Sequence, residues 1–141
     1  MEKEIIYRHK IPVQLRFSDV DRFGHVNNSI YFSLYDLGKT DYLHSVLPHD
    51  FEKQVVVPVI ANINADFIKP IFFGDPIEIE TATIHLGNKS FTLSQRAINT
   101  KTGEIMCQCQ TIMVCFSLKE KSAVEIPKEV KEAIMAYDLH L

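Results

Sequence analysis

The 141-residue chain has no tryptophan and no apolar run approaching the roughly 20 residues that a membrane helix needs. Its start, Met1-Glu2-Lys3-Glu4, lacks the long apolar core of a signal peptide. No membrane association and a cytoplasmic location are therefore expected. Lys and Arg form no block, and 15 basic against 18 acidic residues leave a net charge of -3. A nucleic-acid partner would need a basic face, so none is expected. Cysteine is scarce: Cys107, Cys109 and Cys115 only. Cys107 and Cys109 would share one side of a strand but diverge too far for an easy disulfide. A zinc site would need a second ligand cluster, which is missing, so the three read as small core residues. His9, His44, His49, His85 and His140 are scattered without ligand spacing, and no metal or other cofactor is expected. No Gly-x-Ser-x-Gly elbow occurs, which removes support for serine-based hydrolysis. No glycine-rich phosphate loop occurs either.

What is present is an ordinary globular balance, 46% hydrophobic and 23% charged, in a length that suits one domain spanning 1–141. Ile11, Val13, Leu15 and Phe17 alternate with polar or non-aliphatic neighbours, the pattern of a half-buried strand. Residues 28–45 change period. Ile30, Leu34 and Leu37 fall at helical spacing, and Tyr31, Tyr35, Tyr42 and Leu43 add a second stripe. A helix apolar over so much of its circumference is expected to be enclosed. Gly38 inside it costs about 1 kcal/mol against alanine, and close approach of another backbone would be a reason to keep it.

Four strand-like runs follow: 54–68, 76–86, 90–100 and 104–118. In the first, Val55, Val57, Val59, Ala61, Ile63, Ala65 and Phe67 share one parity. Turn signals at Gly74-Asp75-Pro76, Gly87-Asn88-Lys89 and 99–103 separate the runs, and the last three suit an antiparallel meander. Val130, Ala133, Ile134 and Tyr137 place a short helix over 127–137, with Pro127 in its first turn. The core spans about 5–118 and a helical tail 119–141. The order implies an α+β pair of layers, a five-stranded antiparallel sheet curled around one long central helix.

Between the first strand and that helix lies Ser18-Asp19-Val20-Asp21-Arg22-Phe23-Gly24-His25-Val26-Asn27-Asn28. It sets a carboxylate beside a helix start, where backbone N–H groups lack partners. Asn27 or Asn28 would act as N-cap through its side chain. An aspartate in such a turn also commonly bonds local backbone, and that reading stays open. The run Asp21-Arg22-Phe23-Gly24-His25-Val26-Asn27-Asn28, followed by Tyr31, resembles the signature of the 4-hydroxybenzoyl-CoA thioesterase family, which are hotdog-fold acyl-CoA thioesterases. Asp66-Phe67-Ile68-Lys69-Pro70 with Gly74-Asp75, and Gly103-Glu104, resemble later segments of the same family.

The resemblance implies a hotdog fold and hydrolysis of an acyl-CoA to free acid and CoA. It implies Asp21 as the catalytic carboxylate, nucleophile or general base, and the Asn28 backbone N–H as the donor to the thioester carbonyl. His25 would orient a group in the site or serve as a hydrogen-bonded structural histidine. Gly24, Tyr31, Phe67, Lys89 and Ser90 are implied as substrate contacts, with Arg96 further along the strand after Lys89. Asp19 is taken as structural, and Gly24 as a residue with positive φ. Phe23, Phe32, Tyr35 and Ile60 would line an acyl pocket or belong to the core. The resemblance also implies a homodimer or homotetramer with the acyl site between subunits. Competing readings are an acyl-ACP thioesterase, a hydratase or dehydratase using Asp36 or Asp41 on the helix, and a non-catalytic acyl-thioester-binding module.

Overall fold

The computed structural model describes residues 4–48 and 55–141. His49 and position 54, the expected start of the second strand, lie outside the described residues. The elements are β1 (His9–Val13), a 3-10 turn (Phe17–Asp19), α1 (Asn28–Val46), β2 (Val56–Phe67), β3 (Ile77–Leu86), β4 (Ser90–Asn99), β5 (Ile105–Ser117), β6 (Ser122–Ala123) and α2 (Lys128–Tyr137). The sheet runs β1-β3-β4-β5-β2, antiparallel at every pair, and the two-residue β6 adds a sixth strand beside β5. This is the α+β hotdog arrangement, with α1 against one face of the sheet and the short α2 beside it.

Strand one is shorter than its alternation suggests. It ends at Val13, and Phe17 is 81% exposed inside the 3-10 turn. The reason lies in Asp19, whose carboxylate accepts the Arg16 N–H at 2.7 Å and draws the chain out of the sheet.

The helix buries one stripe, Tyr31, Leu34, Tyr35, Gly38, Tyr42 and Val46, at spacings of three and four. Its other side is open: Leu37 is 56% exposed. Enclosure all round is therefore not what a single chain achieves, because its one sheet covers one side. Gly38 does mark a close approach, but of side chains rather than backbone. A Cβ there would sit 2.5 Å from Ile79 Cγ2 and 3.2 Å from Gln95 Nε2. That proximity lets Gln95 donate to the Tyr35 carbonyl at 2.9 Å and to Thr81 Oγ1 at 3.0 Å, so the buried amide is satisfied.

β2 departs from its single-face pattern. A register shift between Ile60 and Asn62 puts Val57 and Val59 opposite Phe116 and Val114, but Ile63, Ala65 and Phe67 opposite Thr111, Cys109 and Cys107. Cys107, Cys109 and Thr111 are buried, so one extra residue moves the later half of the odd set onto the helix-facing side. The three cysteines are free and buried, and burial pushes their thiols up.

Two apolar clusters fill the interior. One joins Tyr31, Leu34 and Tyr35 to Ile77, Ile79, Ala97 and Cys107. The other joins Tyr42 and Val46 to Phe91, Leu93, Met113, Val130 and Ile134, which docks α2. Pro127 is the N-cap of α2, one residue before its expected place. Asp138, just past α2 and 1% exposed, accepts from Tyr42 Oη and, at 3.0 Å, from the Thr83 N–H.

Candidate active site

The segment after the 3-10 turn is a tight loop tied at each rung. Asp19 O accepts the Asn27 N–H at 3.0 Å, Val20 bridges Val26, and the Asp21 N–H donates to His25 O at 2.8 Å. Gly24 turns the chain at φ 83°, where a side chain would strain the backbone. Asp21 Oδ1 accepts the N–H groups of Phe23 at 2.8 Å and His25 at 3.2 Å. Asp21 is thus a turn former. It is exposed all the same, and both bonds end on one oxygen, Oδ1.

The loop delivers the chain to Asn28, where α1 begins. Asn27 is the N-cap, but neither amide side chain caps the helix, contrary to expectation: the Asn27 side chain makes no capping bond. No acid lies in the first turn. The Asn27 N–H is taken by Asp19 O and the Ile30 N–H by Asn27 O at 2.9 Å, so the positive end of the helix dipole presents the Asn28 and Ser29 N–H groups to a ligand.

A cavity of about 570 Å³ opens at this point, lined by Asp21, His25, Val26, Asn27, Asn28, Ser29, Tyr31, Phe67, Ile68, Lys69 and Pro70. Its far wall is the chain leaving β2. Val26 N–H bonds Ile71 O at 2.8 Å and Phe73 N–H bonds Gly24 O at 3.2 Å, so the two walls are stitched together. Tyr31 is 4% exposed and meets Phe67 edge to face at 5.0 Å. Burial pushes its phenol up, which keeps it neutral. The His25 ring stands edge-on to Phe72 at 4.7 Å.

Asp21, His25, Asn28, Tyr31 and Phe67 are thereby gathered around one space, and Gly24 shapes it from behind. Lys89 and Ser90 are elsewhere, in the β3–β4 turn and at the first residue of β4, and do not line this cavity. Arg96 is also committed elsewhere: it pairs with Glu80 at 2.7 Å and stacks on the Tyr7 ring at 3.8 Å. Of the expected acyl-pocket residues outside this set, Tyr35 is core at 2% exposure, whereas Phe23, Phe32 and Ile60 are exposed. Lys69 was not anticipated as a site residue. It lines the cavity and pairs with Glu104. Its place in Asp66-Phe67-Ile68-Lys69-Pro70 was the available signal.

The arrangement is a carboxylate and an uncapped helix start on one open cavity, the equipment for adding an oxygen nucleophile to a polarised carbonyl. A family model, the thioesterase-like superfamily, matches residues 15–134. The chain belongs to that superfamily. Membership of the thioesterase-like superfamily places it among thioester hydrolases. The long-chain acyl-CoA thioesterase FadM of Escherichia coli K12 is 25% identical over 125 residues, covering 86% of this chain and 93% of that protein. A Thermus thermophilus thioesterase solved with coenzyme A and zinc is 26% identical, with a TM-score of 0.78 over 91% of this chain and 98% of its own. A Pseudomonas aeruginosa protein is also 26% identical, with a TM-score of 0.83 over 94% of this chain and 92% of its own.

Proposed function

We propose that this thioesterase-like protein hydrolyses an acyl-CoA thioester to free acid and CoA in the cytoplasm. The observation that carries the reading is the placement of Asp21 and the α1 start at Asn28 on one cavity. The thioester carbonyl would accept the Asn28 N–H, and the oxyanion formed on addition would gain from the helix dipole. Asp21 serves in one of two ways. As nucleophile its oxygen bonds to the carbonyl carbon, the carbon–sulfur bond breaks, CoA leaves as thiolate, and water then opens the anhydride. As general base it takes a proton from water, which adds to the same carbon. Tyr31 and Phe67 form the apolar floor, and His25 fixes the loop that holds Asp21.

The motif around Asp21 supports the finer assignment to the 4-hydroxybenzoyl-CoA thioesterase family, and the CoA-bound Thermus relative supports CoA as carrier. We place the working form as a homodimer or homotetramer. β2 is an edge strand in which Val59, Ile60 and Ile63 are each more than a third exposed, an edge that a second copy would cover. Lys89 and Ser90, being outside the cavity of their own chain, would meet the nucleotide held by a neighbouring copy.

The test is a thiol-release screen over aliphatic and aromatic acyl-CoA thioesters, run beside the matching carrier-protein thioesters. Turnover of CoA thioesters supports the reading. Turnover of carrier-protein thioesters alone would move the assignment to an acyl-ACP thioesterase. Binding of acyl-CoA with no thiol released from any substrate would leave a non-catalytic binding module.

A further inference from the structure

Asp21 has a neighbour that the proposed chemistry leaves unused. Asp19 is 2% exposed, an unusual depth for a carboxylate on a surface loop. It is fully employed. Oδ2 accepts the Arg16 N–H at 2.7 Å, and Oδ1 accepts the Arg16 guanidinium from Nη2 at 3.1 Å and Nε at 3.3 Å. The Arg16 side chain is 72% exposed, so the guanidinium contacts are screened and the backbone bond is the stronger tie.

The same residue acts at its main chain. Its carbonyl accepts the Asn27 N–H at 3.0 Å. That bond has two consequences for the cavity. It closes the 20–26 loop, so Asp21 and the helix start are held against each other through one residue. It also consumes the Asn27 donor, which makes the Asn28 N–H the first one left for a substrate oxygen.

We propose that Asp19 is a positioning residue: its carboxylate grips Arg16 so that its carbonyl sets the Asn27–Asn28 backbone relative to Asp21. This deepens the thioesterase reading and rests on it. Asp19 touches no reacting atom. Its removal leaves Asp21, Asn28 and the apolar floor chemically intact but free to drift, and a misplacement of about 1 Å costs roughly a hundredfold in rate.

The experiment uses full-length Asp19→Ala and Asp19→Asn, with two readouts. The first is amide hydrogen exchange. Positioning predicts that amides of residues 20–28 exchange at least about tenfold faster in Asp19→Ala while those of β4 keep their wild-type protection. A merely structural role would speed β4 equally. The second is steady-state kinetics on the best acyl-CoA. We expect kcat to fall about thirty- to a hundredfold with KM within about threefold. Asp19→Asn keeps an acceptor for the Arg16 N–H and should recover at least tenfold of that loss. It also carries both readouts if the alanine variant does not fold. Unchanged exchange over 20–28, or a loosened loop with wild-type kcat, would overturn the proposal. If the wild-type enzyme releases no thiol, the functional reading falls while the exchange comparison still decides whether Asp19 holds the loop.

Discussion

At the residue scale the site turns on aspartates with different surroundings two positions apart. Asp21 is exposed and caps its own turn, while Asp19 is buried and holds that turn from below. Arg16 holds the Asp19 carboxyl below the usual carboxylate range, chiefly through its backbone N–H. The sign of the linkage follows. A carboxyl whose folded pKa is depressed adds stability above its unfolded pKa, about 3.9. That stability is lost as pH falls through the lower folded value. Acid titration followed by circular dichroism should therefore show the wild type losing its advantage over Asp19→Asn below about pH 4. His25 behaves differently. Its bond to Asp21 comes from the backbone N–H, which alanine keeps. His25→Ala should lower kcat by no more than about tenfold, checked by thiol release.

Elements explain why these residues stay where they are. Gly38 admits Ile79 and Gln95 to the buried face of α1. An added methyl must displace packed atoms, at a cost of about 1–3 kcal/mol, against about 1 kcal/mol of helix propensity regained. Gly38→Ala should be destabilising by up to about 2 kcal/mol in a denaturant titration. Tyr42 links α1 to the chain end through Asp138 and to β3 through Thr83 at 2.6 Å. Among the described residues Asp138 Oδ1 already lacks a partner, so Tyr42→Phe strips a donor from a buried carboxylate. The expected loss is about 1–3 kcal/mol, read from the same titration.

The bounds of α1 and α2 were legible in the sequence, each within one or two residues of its periodic pattern, whereas β1 stops four residues short of its alternation because Asp19 turns the chain out of the sheet. The bulge in β2 was not legible. Val57, Val59, Ile63, Ala65 and Phe67 are all apolar, and a strand with such residues on either side of a register shift carries no polar marker of the flip. Nor does composition say which stripe of α1 the sheet covers. Leu34 and Leu37 look alike in sequence, yet Leu34 is buried against the sheet and Leu37 is exposed. In the site, the Asp21–Asn28 run was readable because a carboxylate, a glycine and a helix start must adjoin in sequence. Lys69 comes from forty residues on, and only folding brings it there.

At the scale of the whole molecule, one sheet covers one side of one helix, and an apolar edge strand remains. We expect light scattering at micromolar concentration to show at least a dimer. Ile63→Lys on the β2 edge should shift that population toward monomer and lower activity in step, since the site would lose the neighbouring copy. Whether Asp21 acts on a thioester held at the start of α1 is decided by acyl-CoA turnover and binding of Asp21→Asn. Asparagine keeps the acceptor for the Phe23 and His25 N–H groups but is a far weaker base and nucleophile. We expect kcat to fall by about a thousandfold or more while acyl-CoA affinity stays within a few-fold of wild type. An Asp21→Asn enzyme that turns over acyl-CoA at the wild-type kcat would contradict that role.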